Sequence, residues 1–185
     1  MKLIIEIDLI KRLSKKREEE NWGFRSFLKS CEIPSRKIDL IAHHLYKHVV
    51  ERIDCTQCGN CCKEIEPVLT TEDISTCSKG LKLPETVFKN QYLVKTQEEN
   101  KYIFNKKPCP FLSGTRCSIY EHRPADCRSY PHIQKKNVVS RLISLIHNCS
   151  ICPIAFNVYE GLKSKIWSMC DDFDVDEIDE DDIFP

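Results

Sequence analysis

Cys55-Thr56-Gln57-Cys58-Gly59-Asn60-Cys61-Cys62 places four cysteines in eight residues. Its reading decides what the rest of the chain has to build. Two cysteines separated by two residues can curl about one metal ion, with amides of the intervening turn donating to the sulfurs. Gly59 follows Cys58 at a point where such a turn calls for positive φ. Neighbouring side chains in an extended segment point apart. Cys61 and Cys62 are therefore expected to reach different ions, or one of them to bridge two.

Further out along the chain lie Cys109, Cys117 and Cys127, on loops marked by proline and arginine, and then Cys149-Ser150-Ile151-Cys152-Pro153. Nine of the twelve cysteines thus fall into groups: Cys55, Cys58, Cys61, Cys62, Cys109, Cys117, Cys127, Cys149 and Cys152. Repeated short spacings of this kind point to multidentate metal binding. Cys31, Cys77 and Cys170 stand alone and are expected to pack as small apolar side chains. Eight or nine thiolates exceed one tetrahedral S4 site, so the pattern predicts two ions, or a cluster plus one ion. Soft thiolates select zinc, iron or an iron–sulfur cluster over magnesium or calcium. Zinc suits the C-x2-C-G turns. The run Cys55-x2-Cys58-x2-Cys61 with a distant Cys152-Pro153 echoes the bacterial ferredoxin pattern only in part, because Ile65 stands where a fourth cysteine would be expected. Zinc or iron as one or two ions is the first reading, and an iron–sulfur redox or electron-transfer protein is the alternative. A thiol-redox site at Cys58-Gly59-Asn60-Cys61 would need a long helix to follow, which Cys62-Lys63-Glu64-Ile65-Glu66-Pro67 does not promise.

Composition sets the compartment. The N-terminal Leu3-Ile4-Ile5 run is interrupted by Glu6 and Asp8, and no stretch approaches the roughly 20 apolar residues of a membrane span. A cytoplasmic, reducing location is expected, and it favours metal ligation over a disulfide framework. The 28 basic and 28 acidic residues cancel, but nine acids and no base lie from Asp171 on. The preceding body is therefore basic. The acidic tail, 171–185, is expected to be disordered. Its apolar residues Phe173, Ile178 and Phe184 make it a candidate docking segment for a protein partner. The basic pairs Lys106-Lys107 and Lys135-Lys136 are too short, and too poor in interleaved aromatics, to predict nucleic-acid binding.

The predicted architecture is α+β, a small metal-stabilised cysteine-cluster domain with flanking helices and a β-hairpin. Three regions are expected: an N-terminal extension, 1–34; the cysteine-cluster domain, 35–170; and the tail. Leu3, Ile5, Ile7 and Leu9 alternate like a strand. Ile38, Ile41, Leu45 and Val49 have helical spacing, predicting a helix over roughly 36–52. Thr70-Thr71-Glu72-Asp73 resembles a capping-box start, and Pro84-Glu85 opens a short helix. Tyr92–Thr96 and Lys101–Asn105 flank a polar turn and read as a hairpin. The β-branched stretch Val138–His147 reads as a strand first, with a helix as the alternative. Pro153 starts a final helix, with Ile154, Val158, Leu162 and Ile166 at four-residue steps.

Cys55-x2-Cys58-Gly59-x-Cys61-Cys62, Pro108-Cys109-Pro110-Phe111-Leu112, Cys117-Ser118-Ile119-Tyr120-Glu121, Arg123-Pro124-x2-Cys127-Arg128-x-Tyr130-Pro131 and Cys152-Pro153 together resemble the YkgJ-type cysteine-cluster (CxxCxxCC) family over roughly residues 50–155. The resemblance implies zinc or iron chelation by these cysteines in a small protein. It maps the family's late Cys-Pro to Cys152-Pro153 and leaves Cys149 as an extra ligand, a substitute or a bystander. Flagellin lysine N-methylases look like larger relatives, but no glycine-rich methyl-donor turn is present here. No catalytic motif is recognised: G-x-S-x-G, P-loop and Rossmann fingerprints are missing, and Leu45 stands where a metalloprotease needs glutamate after His44. Arg123 and Arg128 flank Cys127 and are candidates to offset thiolate charge. His122 and His132 are alternative ligands.

Overall fold

The structure, a computed structural model, describes residues 2–171, with side chains as far as Met169. The expectations for the acidic tail and for Cys170 lie outside those described side chains. In chain order the helices are α1 (Ile7–Lys16), α2 (Glu18–Ser30), α3 (Ser35–Val50), α4 (Cys61–Glu64), α5 (Thr71–Leu81), α6 (Glu85–Tyr92), α7 (Ala125–Ser129), α8 (Leu142–Cys149) and α9 (Pro153–Asp171). The strands are β1 (Leu93–Lys95), β2 (Tyr102–Phe104), β3 (Leu112–Ser113) and β4 (Arg116–Cys117), paired as two antiparallel hairpins. The fold is α+β. The chain forms two compact units. One joins the residues up to Ile53 with those from Pro131 on, and the other is Asp54–Tyr130.

The first unit is helical. In α9 the four-residue apolar steps meet solvent nowhere: Ile154, Val158, Leu162 and Ile166 are all at most 2% exposed. The helix packs against α3 and α8. At Gly161 a Cβ would come within 3.1 Å of Leu45 Cδ2, so the missing side chain sets how closely α9 approaches α3. A buried polar network ties α9 to α2. Lys163, 1% exposed, donates to Glu20 (2.5 Å), Asn21 Oδ1 (2.9 Å) and Glu160 (2.8 Å), while the Tyr159 hydroxyl donates to Asn21 O (2.9 Å). A charge this deep is tolerated because each of its three N–H groups finds an acceptor.

Two expectations fail here. The alternating N-terminus forms no strand. Residues 2–6 have no regular structure, and the Ile4 amide and carbonyl bond to the Asn157 side chain (2.9 and 2.7 Å). From Ile7 the spacing Ile7, Ile10, Ser14 takes over as the inward face of α1, with Ile10 and Ser14 buried. The stretch 138–147 is likewise not a strand but a 3-10 turn (Val138–Arg141) running into α8. Val138, Leu142, Leu145 and Cys149 are buried and Ile143 is 54% exposed. The three- and four-residue burial period overrides the β-propensity of the branched residues.

The second unit has short elements around a small core of Leu69, Ile74, Cys77, Phe88, Phe104, Phe111 and Ile119. The expected capping box is present: Asp73 N donates to Thr70 Oγ1 (3.3 Å) and Thr70 N to Asp73 Oδ2 (2.9 Å). Pro84 precedes α6, as expected. β1 and β2 form the expected hairpin, and Leu69 and Tyr102 add a bridge to its edge. Phe111 sits among Phe88, Tyr92 and Phe104, with ring centroids 6.1, 4.9 and 5.4 Å away.

Candidate metal centre

Three chain segments of the second unit carry the thiols, and backbone bonds fix each of them. In the first, the Asp54 carboxylate accepts from Thr56 N and Oγ1 (both 2.8 Å), starting the 3-10 turn Cys55–Gln57. Those bonds hold the Asp54 carboxyl below its ordinary pKa. The amides of Cys58 and Gly59 then turn back to Cys55 O (3.2 and 3.4 Å). Gly59 has φ 61°, as the turn was expected to need, and a Cβ there would lie 2.7 Å from Thr115 O. The cysteine turn therefore rests directly on the tip of the β3–β4 hairpin. Cys61 and Cys62 follow as the first residues of α4, not in an extended segment, so the expectation that their side chains point apart loses its premise; Cys61 instead hydrogen-bonds Cys62.

The second segment is stitched to the first by Cys109 N donating to Cys62 O (2.8 Å). Leu112 N bonds to Cys109 O (3.0 Å), and in the β3–β4 ladder Leu112 pairs with Cys117. Cys109 and Cys117 are thereby held to one hairpin. The third segment brings Cys127 on the short helix α7. That helix has no capping side chain of its own kind before it; instead its first amide, Ala125 N, donates to Asp73 Oδ1 (2.7 Å). Asp126 accepts from Val68 N (3.2 Å). Asp73, 4% exposed, thus caps α5 with one oxygen and orients α7 with the other.

The protonation behaviour of the thiols reports which of them are neighbours. Cys127 is raised above the ordinary thiol value, first by burial and then by Cys109, Cys62, Asp126 and Cys117. Burial likewise pushes Cys109 up to about 11, with Cys62 and Cys117 adding to the rise. Cys117 is raised by burial and by Cys62, while the Ile119 amide and Arg123 oppose the rise. Cys62 goes the other way, down to about 7, because Cys61 hydrogen-bonds it and Arg123 is near. Cys62, Cys109, Cys117 and Cys127 therefore form one neighbourhood. Cys55 is raised by burial and by Cys58, against Arg123, which joins that pair to the same surroundings. All eleven described cysteines are outside disulfides. Among the described residues, no three His, Cys, Asp or Glu side chains are disposed so as to hold an ion as they stand. The donor chemistry nonetheless fits zinc or iron, since soft thiols are the donors these ions select, and Cys109, Cys117 and Cys127, held up by burial and by Cys62, are half-buried thiols that a soft cation would help to ionise.

Arg123 takes the charge-offsetting place expected of it, and Cys77 and Asp73 matter more than their sequence positions suggested. The Arg123 guanidinium lies 3.6 Å from the Tyr120 ring centroid and donates to Tyr120 O (3.1 Å), and its own carbonyl accepts from Arg128 (2.7 Å). So held, it favours the charged forms of Cys55, Cys62 and Cys117. Arg128 acts instead on Cys77. Cys77 is buried, as expected of a solitary cysteine, yet its charge neighbours include Cys117 and Cys109. Its thiol is pushed up to about 12, mainly by burial, and donates to His122 O (3.2 Å). The positioning role of Asp73 was hidden in plain sight: the capping-box motif showed one of its two oxygens.

Cys149 and Cys152 belong to the helical unit. Cys149 is 1% exposed, donates to Leu145 O (3.2 Å) and Ala155 O (3.7 Å), and is raised well above the ordinary thiol value by burial, with Glu160 and Cys152 adding. His132 is also in that unit, and His122 is exposed at the end of a 3-10 turn packed on Gly80. No helix among the described residues is long and apolar enough to cross a membrane.

A family model described as "CxxCxxCC: Putative zinc- or iron-chelating domain" matches residues 54–152 of the chain. No curated protein and no solved structure matches it.

Proposed function

The chain belongs to the CxxCxxCC family, and on that premise we propose that Asp54–Tyr130 holds zinc or iron through cysteine thiolates. The observation that carries the reading is the family match over residues 54–152, supported by the bonds that hold the thiol-bearing segments: Cys109 N on Cys62 O, Cys117 paired with Leu112, and α7, which carries Cys127, held by Asp73. These four cysteines are the first ligand set. Cys55, Cys58 and Cys61 are the donors left for a second ion. Cys152 stays a candidate because the family match ends on it. We assign Cys149 to packing, since its sulfur is buried against two carbonyls.

A bound ion would cross-link segments that are otherwise joined by a few hydrogen bonds. Cys62, the most readily ionised of the four, is the thiolate an incoming ion meets first. Arg123 offsets part of the negative charge that accumulates as the others lose their protons.

Anaerobic purification with quantification of zinc, iron and acid-labile sulfide tests this reading. One or two ions per chain without sulfide are expected. The content should fall in Cys62→Ser with Cys117→Ser and stay unchanged in Cys149→Ser. A brown protein with stoichiometric sulfide moves the assignment to the iron–sulfur alternative. A chain with no bound metal, and with every clustered thiol freely reactive, overturns chelation altogether.

A further inference from the structure

Between Pro131 and α8 the helical unit contains a loop that the cysteine site does not use. Its shape is tightly determined. His132 and Asn137 adopt left-handed backbone (φ 67° and 60°), and Asp39 of α3 accepts from the amides of Asn137 and Val138 (both 2.8 Å). Arg141 braces the loop from inside, with Nη1 donating to His132 O and Nη2 to the carbonyls of Lys135 and Lys136. What remains between loop and helix is a pocket of about 140 Å³.

The lining has a consistent chemistry. Ile133 and Val138, each 1% exposed, close it from behind and present little surface to a ligand. The polar lining comes from Lys135, Arg141, Ser144 and the buried Asn148, with His132 beside them, and among the described residues no acidic side chain lines the space. Asp39 is the acid whose charge reaches Arg141, but its two oxygens already accept two backbone amides. A guanidinium carries five N–H groups, and three bonds to carbonyls leave two of them for another acceptor. Burial holds Arg141 below its ordinary pKa, so its charge is partly stripped of water without a carboxylate bound to it. Cavities of about 150 Å³ take ligands the size of benzene.

We propose that this pocket binds a small carboxylate, with Arg141 and Lys135 receiving the charged group at its mouth. The carboxylate has two available sources, a free short-chain acid or the acidic side chains of the chain's own segment 172–185. Neither depends on the cysteines, so the pocket and the metal reading stand or fall separately.

The test titrates sodium butyrate into the isotope-labelled full chain and into a chain stopped after Asp171, following backbone amide resonances. Saturable shifts confined to residues 131–148 in the full chain establish a free acid as the ligand. Saturable shifts only in the shortened chain establish that the acidic segment is the occupant. In either case Lys135→Glu and Ser144→Asp, both at exposed positions, should weaken butyrate binding by about fivefold or more, while Lys29→Glu on α2 leaves it unchanged. No saturable shift in either chain, or shifts indifferent to Lys135→Glu and Ser144→Asp, overturns the proposal.

Discussion

The two units of this chain differ in how much apolar packing each contains, the helical unit also being the longer of the two. Among the described residues, 21 buried apolar side chains belong to the helical unit and seven to the thiol unit, one of the seven being Cys77. The helical unit has a 19-residue helix at its core and a buried lysine satisfied on all sides. The thiol unit has two-residue strands, a four-residue helix and a five-residue helix, none of which would persist alone. Its longer elements, α5, α6 and the β1–β2 hairpin, enclose the small core of seven residues. The proposed thiolate coordination would add cross-links where the elements are shortest.

Metal removal should separate the two most sharply. Apparent binding energies of structural zinc sites run to about 10–16 kcal/mol, much of it expressed as folding. Hydrogen exchange before and after exhaustive chelation should show amides within 54–130 losing protection while those of α3 and α9 keep theirs. Equal loss in both units would mean that metal is not what distinguishes them.

Next in size are matched core truncations. Leu162→Ala in α9, fully buried, should cost about 2–5 kcal/mol whether or not metal is present. Phe111→Ala removes the centre of the aromatic group formed with Phe88, Tyr92 and Phe104 and should cost about 3–5 kcal/mol. Because a ligand that binds only the folded state adds to stability by mass action, the Phe111 variant should remain folded when loaded and unfold when stripped. Urea titrations of both variants with and without zinc read this directly. A Phe111 variant that unfolds regardless of metal would place the stability of the thiol unit in its apolar core.

These differences also explain what the sequence could disclose. α3, α5, α6, α9 and the β1–β2 hairpin were legible because their period, caps and turn residues agree with their burial. Residues 3–9 and 138–147 misled for the opposite reason. Their β-branched composition argues for strands, but each has only helices to pack against, and Ile10, Leu142 and Leu145 turn inward at helical spacing. The thiol neighbourhood was legible as a set of spacings. That Cys77 lies beside Cys109 and Cys117, and that Asp73 holds α7 as well as α5, depends on approaches between residues some 30 to 50 positions apart, which no local pattern encodes.

Asp73 gives a smaller and more pointed test. Asp73→Ala removes the acceptor for Thr70 N, Thr70 Oγ1 and Ala125 N, at a cost of about 1–3 kcal/mol. The effect should reach Cys127, whose helix loses its anchor. Alkylation of Cys127 in the stripped protein should accelerate more than alkylation of Cys109, which is held by Cys62 O and not by Asp73. Equal acceleration would show that Asp73 supports the unit as a whole and does not orient α7 in particular.

The gentlest contrast is with pH, where metal should reverse the sign of the response. In the stripped chain, Cys77 (about 12), Cys109 (about 11), Cys127 and Cys149 all have folded pKa values raised above the unfolded thiol value of 9.0. A raised pKa means that the folded state keeps protons which the unfolded state releases. Their contribution is therefore fully present below about pH 9 and is lost as pH climbs toward 11–12. Both units contain such thiols, so both should weaken with alkali when stripped. Zinc requires thiolates, and its binding releases protons, so between pH 6 and 8, below the unfolded thiol value, the loaded thiol unit should gain stability throughout as pH rises. The helical unit should gain only up to about pH 6.5, because burial and the neighbouring His48 and Lys47 hold His44 below its ordinary value, and should stay level from there to pH 8, where Cys149 remains protonated. Unit-resolved hydrogen exchange at pH-corrected times, with and without zinc, distinguishes these slopes. A loaded thiol unit with no rise between pH 6 and 8 would separate its stability from thiolate coordination and leave the two units resting on the same kind of packing.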